Sequence, residues 1–282
     1  MRPQMMLPLM LLTGIAVTEP THVGPVTLDR SEQYLIESKA VADTFRLDVV
    51  LPIGYAESED RYPVVYVTDS NYLLTSAAAT QLAQVTDELP DLILVGIGYD
   101  VPGIPDTAQI RVRDFSPTCD ERYVESASLP PRLCGGADDF IEFIQDELKP
   151  FINGKYRTSQ DATLVGYSFG GLFALHVLFT RNAVFDRYLI GSPSIDWDGD
   201  LMFTEEGAYA KDHTDLSKRV YLAAGGLEGG GTIPNAYRLY EQLLSRNYPG
   251  LKIELEILAG ETHMTGINAT VMRGLRSLFA NP

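Results

Sequence analysis

Short apolar runs alternate with longer segments of helical periodicity along most of the chain. Runs rich in β-branched and aromatic residues predict strands at FRLDVVLP, YPVVYVTD, DLILVGIGY, ATLVGYS, RYLIGSP, RVYLAAGG and KIELEILAG. Apolar residues at helical spacing predict helices at 73–88, 137–152, 169–181, 234–246 and 269–279. The middle strands are almost wholly apolar, as strands covered on both faces are. The pattern therefore predicts an α/β protein with a mostly parallel, doubly wound sheet.

The first two strand patterns differ from the rest. Residues 33–37 and 45–51 alternate between apolar and polar side chains, which predicts an antiparallel hairpin at one edge of the sheet. The segment between Tyr99 and Leu133 is too long for a bare connection, and we expect it to form a small lid loop. No repeat or linker divides the chain, so residues 25–282 are expected to form one domain.

Residues 1–24 form an N-terminal extension with the features of a weak secretory signal. The run MMLPLMLLTGIAV follows a stretch whose only basic side chain is Arg2, and Gly14-Ile15-Ala16 offers a cleavage site of small residues. The run is too short to span a bilayer, and no other segment predicts a membrane helix. Two interpretations stay open: a signal peptide of a secreted or periplasmic protein, and an uncleaved extension of a cytoplasmic one.

The net charge and the two cysteines limit which classes of partner and which cellular compartment are expected. The net charge of −16 repels phosphate backbones, so no nucleic acid partner is expected. Cys119 and Cys134 enclose a polar stretch that contains Pro130-Pro131, which favours a disulfide over two free thiols. Their spacing, without a C-x-x-C pair or a nearby histidine, does not predict a metal site.

The stretch LVGYSFGG places Ser168 in a G-x-S-x-G pattern. An apolar strand pattern precedes it and a helical pattern follows at once, which is the strand-turn-helix context of an attacking serine. Flanking glycines let the strand and helix backbones approach closely. We therefore predict that Ser168 is a nucleophile, with a structural glycine-rich turn as the alternative.

Four histidines are available as a base for this serine. His22 lies in the N-terminal extension, His176 on the buried or half-buried side of a helix, and His213 in a polar segment, and we interpret these three as structural or surface residues. His263 directly follows the last strand, where a base can reach over the sheet to Ser168. His263 is the predicted general base.

A carboxylate should orient the histidine, and the chain order in this type of fold is serine, acid, histidine. Glu228 follows a strand and lies between Ser168 and His263 in sequence, so it is the preferred acid. Glu261 is interpreted as a local loop contact. Three competing acids follow the preceding strand: Asp196, Asp198 and Asp200.

The remaining site predictions concern the oxyanion and the substrate. Two backbone N–H groups should face the tetrahedral oxygen, one from Phe169 and one from the Asp69-Ser70-Asn71 loop, with Asn71 as the preferred donor. Arg111 and Arg113 are candidate contacts for an anionic or phenolic substrate, although Arg113 beside Asp114 suits a structural ion pair equally well. Further aromatic candidates for the pocket are Tyr72, Tyr99, Tyr167, Phe169 and Trp197.

Several stretches, in order, resemble the "putative esterase" family of α/β-hydrolases: YPVVYVTDSNYL, LVGIGY, RDFSPT, GGADDFIEFIQDELKPFI, LVGYSFGGLFALHVLF, GSPSIDW, AAGGLEGG and LAGETHMT. The resemblance runs from about residue 33 to 279. It is strongest to the siderophore-esterase-like branch, beside S-formylglutathione hydrolases, feruloyl esterases and mycolyltransferases. It implies an α/β-hydrolase fold and a serine carboxylesterase without cofactor or metal, acting through an acyl-Ser168 intermediate on small-molecule, short-chain or aryl esters. The alternative is an acyltransferase or a siderophore or feruloyl esterase with the same triad.

By this resemblance Ser168, His263 and Glu228 form the triad, while Asn71 and Phe169 form the oxyanion hole. Two positions depart from the family pattern. Ser70 stands where the family usually has glycine, which bears on the backbone geometry of the oxyanion hole. At the second position, just before Trp197, an aspartate replaces a frequent aromatic residue and predicts a more polar acyl or alcohol pocket.

Overall fold

The computed structural model describes residues 22, 24, 27–73, 76–101, 104–127, 130 and 133–280. Within these residues the strands are β1 Ser31–Ser38, β2 Asp43–Val50, β3 Tyr62–Val67, β4 Ile93–Tyr99, β5 Thr158–Tyr167, β6 Arg187–Gly191, β7 Arg219–Gly225 and β8 Lys252–Leu258. The helices are α1 Ser70–Leu73, α2 Ser76–Val85, α3 Ile104–Phe115, α4 Glu121–Ser126, α5 Ala137–Glu142, α6 Lys149–Lys155, α7 Phe169–Thr180, α8 Leu201–Asp212, α9 Thr232–Ser245 and α10 Gly266–Phe279. A π-helical stretch, Phe143–Leu148, joins α5 to α6. The apolar run predicted as a signal peptide lies outside the described residues.

The strands form one eight-stranded sheet in the order β1-β2-β4-β3-β5-β6-β7-β8. Strand β2 pairs antiparallel with β1 and β4, and every other pairing is parallel. The predicted parallel sheet and its antiparallel edge hairpin are therefore confirmed. Because the carboxyl ends of parallel strands share one edge, the segments after β3, β5, β6, β7 and β8 converge there.

Two hydrophobic layers cover the sheet. One layer packs the strands against α3, α5, α7, α8 and α9, and the other packs them against α2 and α10. Every residue of β4 is buried, and α7 is buried from Gly170 to Phe179. Helix α7 is therefore a central core element. Because the helix is packed along almost its whole length, the position of its first turn is fixed.

Apart from the single turn of α1, in the segment interpreted as a loop, three helices were not predicted from the sequence: α3, α4 and α8. Their sequences are rich in charged residues, so the apolar period that marks a surface helix is weak. Val112 and Phe115 of α3 are nonetheless in the core. The first half of the segment expected to be a lid loop is therefore a packed helix. No helix in the described part of the chain is long and apolar enough to cross a bilayer.

Cys119 and Cys134 form a disulfide, as predicted. The bond joins the turn before α4 to the turn before α5. Backbone hydrogen bonds from Gly136 N–H to Arg113 O (2.8 Å) and from Ala137 N–H to Ser116 O (3.2 Å) fasten the same turn to the end of α3. The α4 segment is thus attached to the core at both ends.

The disulfide should contribute to thermal stability because it closes a loop in the unfolded chain. Replacing both cysteines (Cys119→Ser with Cys134→Ser) is expected to remove at most about 3 kcal/mol, and so to lower Tm by up to about 10 °C. Scanning calorimetry with and without reductant measures the effect. Reductant should lower the Tm of the wild type and leave that of the double variant unchanged. Equal Tm values for the wild type and the double variant, both measured without reductant, would contradict the prediction.

Candidate active site

Several predicted site residues meet in one pocket at the carboxyl edge of the sheet. The pocket has a volume of about 240 Å³ and is lined by Asp69, Tyr72, Ala108, Arg111, Tyr167, Ser168, His263, Met264 and Ile267. These residues come from the end of β5 and the turn after it, from the segments after β3 and β8, and from α3. The topology therefore brings Ser168 and His263, 95 positions apart in sequence, to a common cavity.

Ser168 lies at a sharp turn between β5 and α7, with φ 61° and ψ −117°. Its N–H donates to Gly191 O at 2.9 Å, and its carbonyl oxygen accepts the N–H of Leu172 at 3.0 Å. A side chain at Gly166 would overlap the carbonyl oxygen of Gly170, which explains the glycine two positions before the serine. The elbow geometry expected of the G-x-S-x-G pattern is present.

The imidazole of His263 is hydrogen-bonded to Glu228, with 2.7 Å between Nδ1 and Oε2. The carboxylate is 4% exposed and the imidazole 41% exposed. The other carboxylate oxygen, Oε1, accepts the N–H of Gly225 at 2.7 Å and the hydroxyl of Ser192 at 2.5 Å. Two donors thus fix one oxygen of Glu228 and direct the other to Nδ1 of the histidine.

A tyrosine links the histidine loop to this carboxylate. The hydroxyl of Tyr167 donates to the carbonyl oxygen of His263 at 2.7 Å and lies 2.9 Å from Ser192 Oγ. Its ring centroid is 5.2 Å from that of the imidazole. Burial raises the pKa of Tyr167 to about 12, so the hydroxyl stays neutral over the working pH range. Sequence reasoning missed Ser192, although it follows β6 just as Ser168 follows β5.

The loop after β3 is held against the end of β4 by Asn71. Its side-chain amide donates to Tyr99 O at 3.1 Å and accepts the N–H of Tyr99 at 2.8 Å. The backbone N–H of Asn71 belongs to the first turn of α1, and that of Phe169 opens α7. The first N–H groups of a helix have no partner within it, so both can donate to an oxyanion.

Ser70 departs from the family pattern without disturbing this loop. The left-handed residue of the turn is Asp69, with φ 57°, and Ser70 does not have a positive φ. Glycine is therefore not required at position 70. The Ser70 side chain is buried and its hydroxyl donates to the carboxylate of Asp48.

The structure corrects one of the predicted substrate contacts, Tyr99. Tyr99 is 3% exposed, its ring packs against Phe45, and its hydroxyl donates to Asp114 at 2.9 Å, so it is a core residue. Burial, followed by the charge of Asp114, raises the pKa of Tyr99 well above its usual value. Arg111 lines the pocket but forms a bidentate pair with Asp69, at 2.8 and 2.6 Å. Its charge is already compensated within the protein.

The other aromatic candidates divide between two cavities. Tyr72 and Tyr167 line the pocket with Ser168. Trp197 lies instead beside a neighbouring groove of about 760 Å³, where its ring contacts those of Phe169 and Tyr123, each at 5.2 Å. Asp120, Arg122, Asp196 and Asp200 also line this groove. Asp196 is exposed at this groove, and the more polar acyl or alcohol pocket expected from the sequence stays a prediction.

The competing acids and histidines have other surroundings. Asp198 accepts the hydroxyl of Thr118 at 2.6 Å, and Asp200 pairs with Arg238 at 2.6 Å. Nδ1 of His176, a buried residue, lies 2.9 Å from Glu205. The remaining histidines are exposed: His22 in the N-terminal segment and His213 at the end of α8.

Arg113 binds Asp43 and Asp114 at 2.7 and 2.6 Å, as expected of a structural ion pair. The described residues include no group of three His, Cys, Asp or Glu side chains placed to hold a metal.

The Asn71 loop needs a glycine at position 98 of β4, which lies beneath it. A methyl group at Gly98 would lie 2.6 Å from Asn71 Oδ1 and 3.3 Å from Ser70 Cβ. Gly98→Ala should therefore destabilise the fold by about 1–3 kcal/mol, or several degrees in Tm, because the loop must move. Gly207→Ala is the matched control, since a methyl group there meets nothing within 4 Å in a helix. A Gly98→Ala protein as stable as wild type would contradict this packing argument.

Comparisons with known proteins agree with the geometry. Residues 38–247 match the family model described as "Putative esterase". The ferri-bacillibactin esterase BesA of Bacillus subtilis is 33% identical over 236 residues, which are 76% of this chain and 78% of that protein.

Solved structures are similar over most of the chain. The BES protein of Bacillus cereus has a TM-score of 0.81 and 29% identity, and the match covers 93% of this chain and all of that one. The siderophore hydrolase EstA of Aspergillus nidulans has a TM-score of 0.76 and 26% identity, over 90% and 97% of the two chains. The chain thus belongs to the Putative esterase family of α/β-hydrolase-fold enzymes, in its siderophore-esterase-like branch.

Proposed function

We propose that the protein is a serine carboxylesterase, with Ser168 as nucleophile, His263 as general base and Glu228 as the orienting acid. One observation carries the proposal: Ser168, on its left-handed elbow, shares a pocket with His263, whose Nδ1 is held by a buried carboxylate. We place the catalytic domain in residues 25–282.

In the first half-reaction, Nδ1–H of His263 donates to Glu228, which leaves Nε2 free to accept the hydroxyl proton of Ser168. The serine oxygen attacks the ester carbonyl and forms a tetrahedral intermediate. The backbone N–H groups of Asn71 and Phe169 stabilise its oxyanion. The intermediate collapses to acyl-Ser168, and the leaving alcohol takes its proton from Nε2 of His263.

In the second half-reaction, Nε2 of His263 takes a proton from water, and the resulting oxygen nucleophile attacks the acyl carbonyl. Collapse of the second tetrahedral intermediate releases the carboxylic acid and returns the proton to Ser168. Glu228 stabilises the imidazolium in both steps. Its burial and its fixed Oε1 keep the carboxylate in one orientation.

We further propose that the physiological substrate is a siderophore ester. The relatives are named for the hydrolysis of ferri-bacillibactin, triacetylfusarinine C and enterobactin, which supports this class. The groove of about 760 Å³ beside Phe169 offers room for a large acyl or alcohol group next to the pocket of Ser168. Its partly exposed aromatic side chains, Tyr123 and Phe169, suit a planar or apolar part of such a substrate.

Removal of the triad residues should abolish most of the hydrolysis. Ser168→Ala and His263→Ala are each expected to lower kcat/KM by at least about 10³-fold for p-nitrophenyl butyrate, and Glu228→Ala by about 10²- to 10⁴-fold. The same variants are assayed by chromatography on bacillibactin, triacetylfusarinine C and enterobactin.

Circular dichroism and Tm confirm that each variant is folded. Asp198→Ala serves as the control because this acid lies in the neighbouring loop and binds Thr118. Near wild-type turnover by folded Ser168→Ala would refute the mechanism. A larger loss from Asp198→Ala than from Glu228→Ala would show that the acid is misassigned.

The Tyr167 hydroxyl should act by holding His263 in place. We expect Tyr167→Phe to lower kcat by about 10-fold with KM within about twofold, since one hydrogen bond of about 1 kcal/mol is lost and the histidine backbone is less constrained. The matched control is Tyr221→Phe, which removes a hydroxyl of β7 that is bound to Glu256 of β8. Equal kcat values for the two variants would contradict a role of Tyr167 at the histidine. Because the pKa of Tyr167 is about 12, the wild type and Tyr167→Phe should share the same pH profile below pH 10.

A further inference from the structure

Arg111 contacts the loop after β3 through a buried ion pair. Its Nε and Nη2 donate to the two carboxylate oxygens of Asp69, at 2.8 and 2.6 Å. The arginine side chain is 13% exposed and the aspartate 4% exposed. Burial lowers the pKa of Arg111, but the charge and hydrogen bonds of Asp69 outweigh it and leave the pKa raised. The guanidinium therefore stays charged and bound to Asp69.

The same guanidinium also contacts the elbow. Nη2 donates to the carbonyl oxygen of Tyr167, the residue before Ser168, at 3.3 Å. Its carbon Cζ lies 5.4 Å from the ring centroid of Phe169 and 5.3 Å from that of Phe115. One side chain of α3 thus binds both segments that supply the proposed oxyanion donors.

The two donors depend on the spacing of these segments. The N–H of Asn71 comes from the β3 loop and the N–H of Phe169 from the start of α7, which are separate parts of the chain. Asp69 holds a left-handed conformation that costs a non-glycine residue about 1–3 kcal/mol unless its surroundings fix it. The fork of Arg111 supplies that fixation, because a bidentate pair sets both distance and orientation.

We propose that Arg111 is a positioning residue for the oxyanion hole, which sets the separation of the Asn71 and Phe169 N–H groups and does not bind the substrate. This inference rests on the proposed serine esterase mechanism. It predicts that changes at Arg111 weaken the tetrahedral transition state and leave ground-state binding unaffected. Lysine cannot replace arginine here, because an ammonium group has no planar fork.

The test compares Arg111→Lys with the wild type. For p-nitrophenyl butyrate, kcat should fall by about 10- to 100-fold while KM stays within about twofold. An alkyl trifluoromethyl ketone, which adds to the serine and places an oxyanion in the hole, should bind more weakly by the same factor. The matching methyl ketone should bind equally well to both proteins, since it forms no stable oxyanion adduct.

The matched control is Arg246→Lys, remote from the pocket. Arg246 forms an equivalent bidentate pair with a fully buried Glu206, at 2.8 and 2.7 Å. This variant should lose stability and keep kcat and trifluoromethyl ketone affinity within about twofold. If Arg111→Lys does not fold, Asp69→Asn makes the same comparison, because it keeps the shape of the side chain and removes the charge.

The possible outcomes distinguish a failure of the positioning role of Arg111 from a failure of the serine esterase mechanism. A parallel loss of kcat and trifluoromethyl ketone affinity supports the positioning role. Unchanged kcat in Arg111→Lys overturns it, and so does a rise in KM with kcat unchanged, which would indicate substrate binding by Arg111. Failure of the trifluoromethyl ketone to inhibit the wild type would instead refute the serine mechanism on which the inference rests.

Discussion

The conformation of Ser168 is the constraint on which the rest of the site depends. A non-glycine residue at φ 61° is unfavourable by about 1–3 kcal/mol, and it persists only where the surrounding structure fixes it. Hydrogen bonds from the Ser168 backbone to Gly191 and Leu172 fix it here, between a buried strand and a helix that is itself a core element. The hydroxyl is therefore held at the edge of the sheet by the packing of the whole domain.

Two polar networks are built onto this elbow, and both use the residue before the serine. The hydroxyl of Tyr167 contacts the His263 backbone and Ser192, while its carbonyl oxygen accepts a hydrogen bond from Arg111. The first network holds the carboxylate of Glu228. In the second, the guanidinium of Arg111 compensates the charge of Asp69 inside the protein. Both carboxylates are nearly inaccessible to water, so their partners act at low dielectric and fix geometry strongly.

Sequence reasoning was most successful for features with a local signal. The strand and helix patterns correctly predicted the parallel sheet, the edge hairpin and α7, and the position of His263 after the last strand placed it in the pocket of Ser168. It was wrong for Tyr99, because a strand-end tyrosine carries no local sign of which face it occupies. Helices α3 and α8 were not predicted, because many of their residues are polar and only a few apolar residues contact the core.

The sequence by itself determined the fold class, the elbow around Ser168 and the family, because these depend on hydrophobic period, glycine position and contiguous motifs. Only the tertiary structure decided what the long polar side chains bind. Arg111, Asp69, Ser192 and Tyr167 are distant in the chain, and their partners depend on how α3 and the ends of β3, β5 and β6 pack together. Pairing among charged and hydroxyl groups is a property of that packing, and no residue pattern along the chain encodes it.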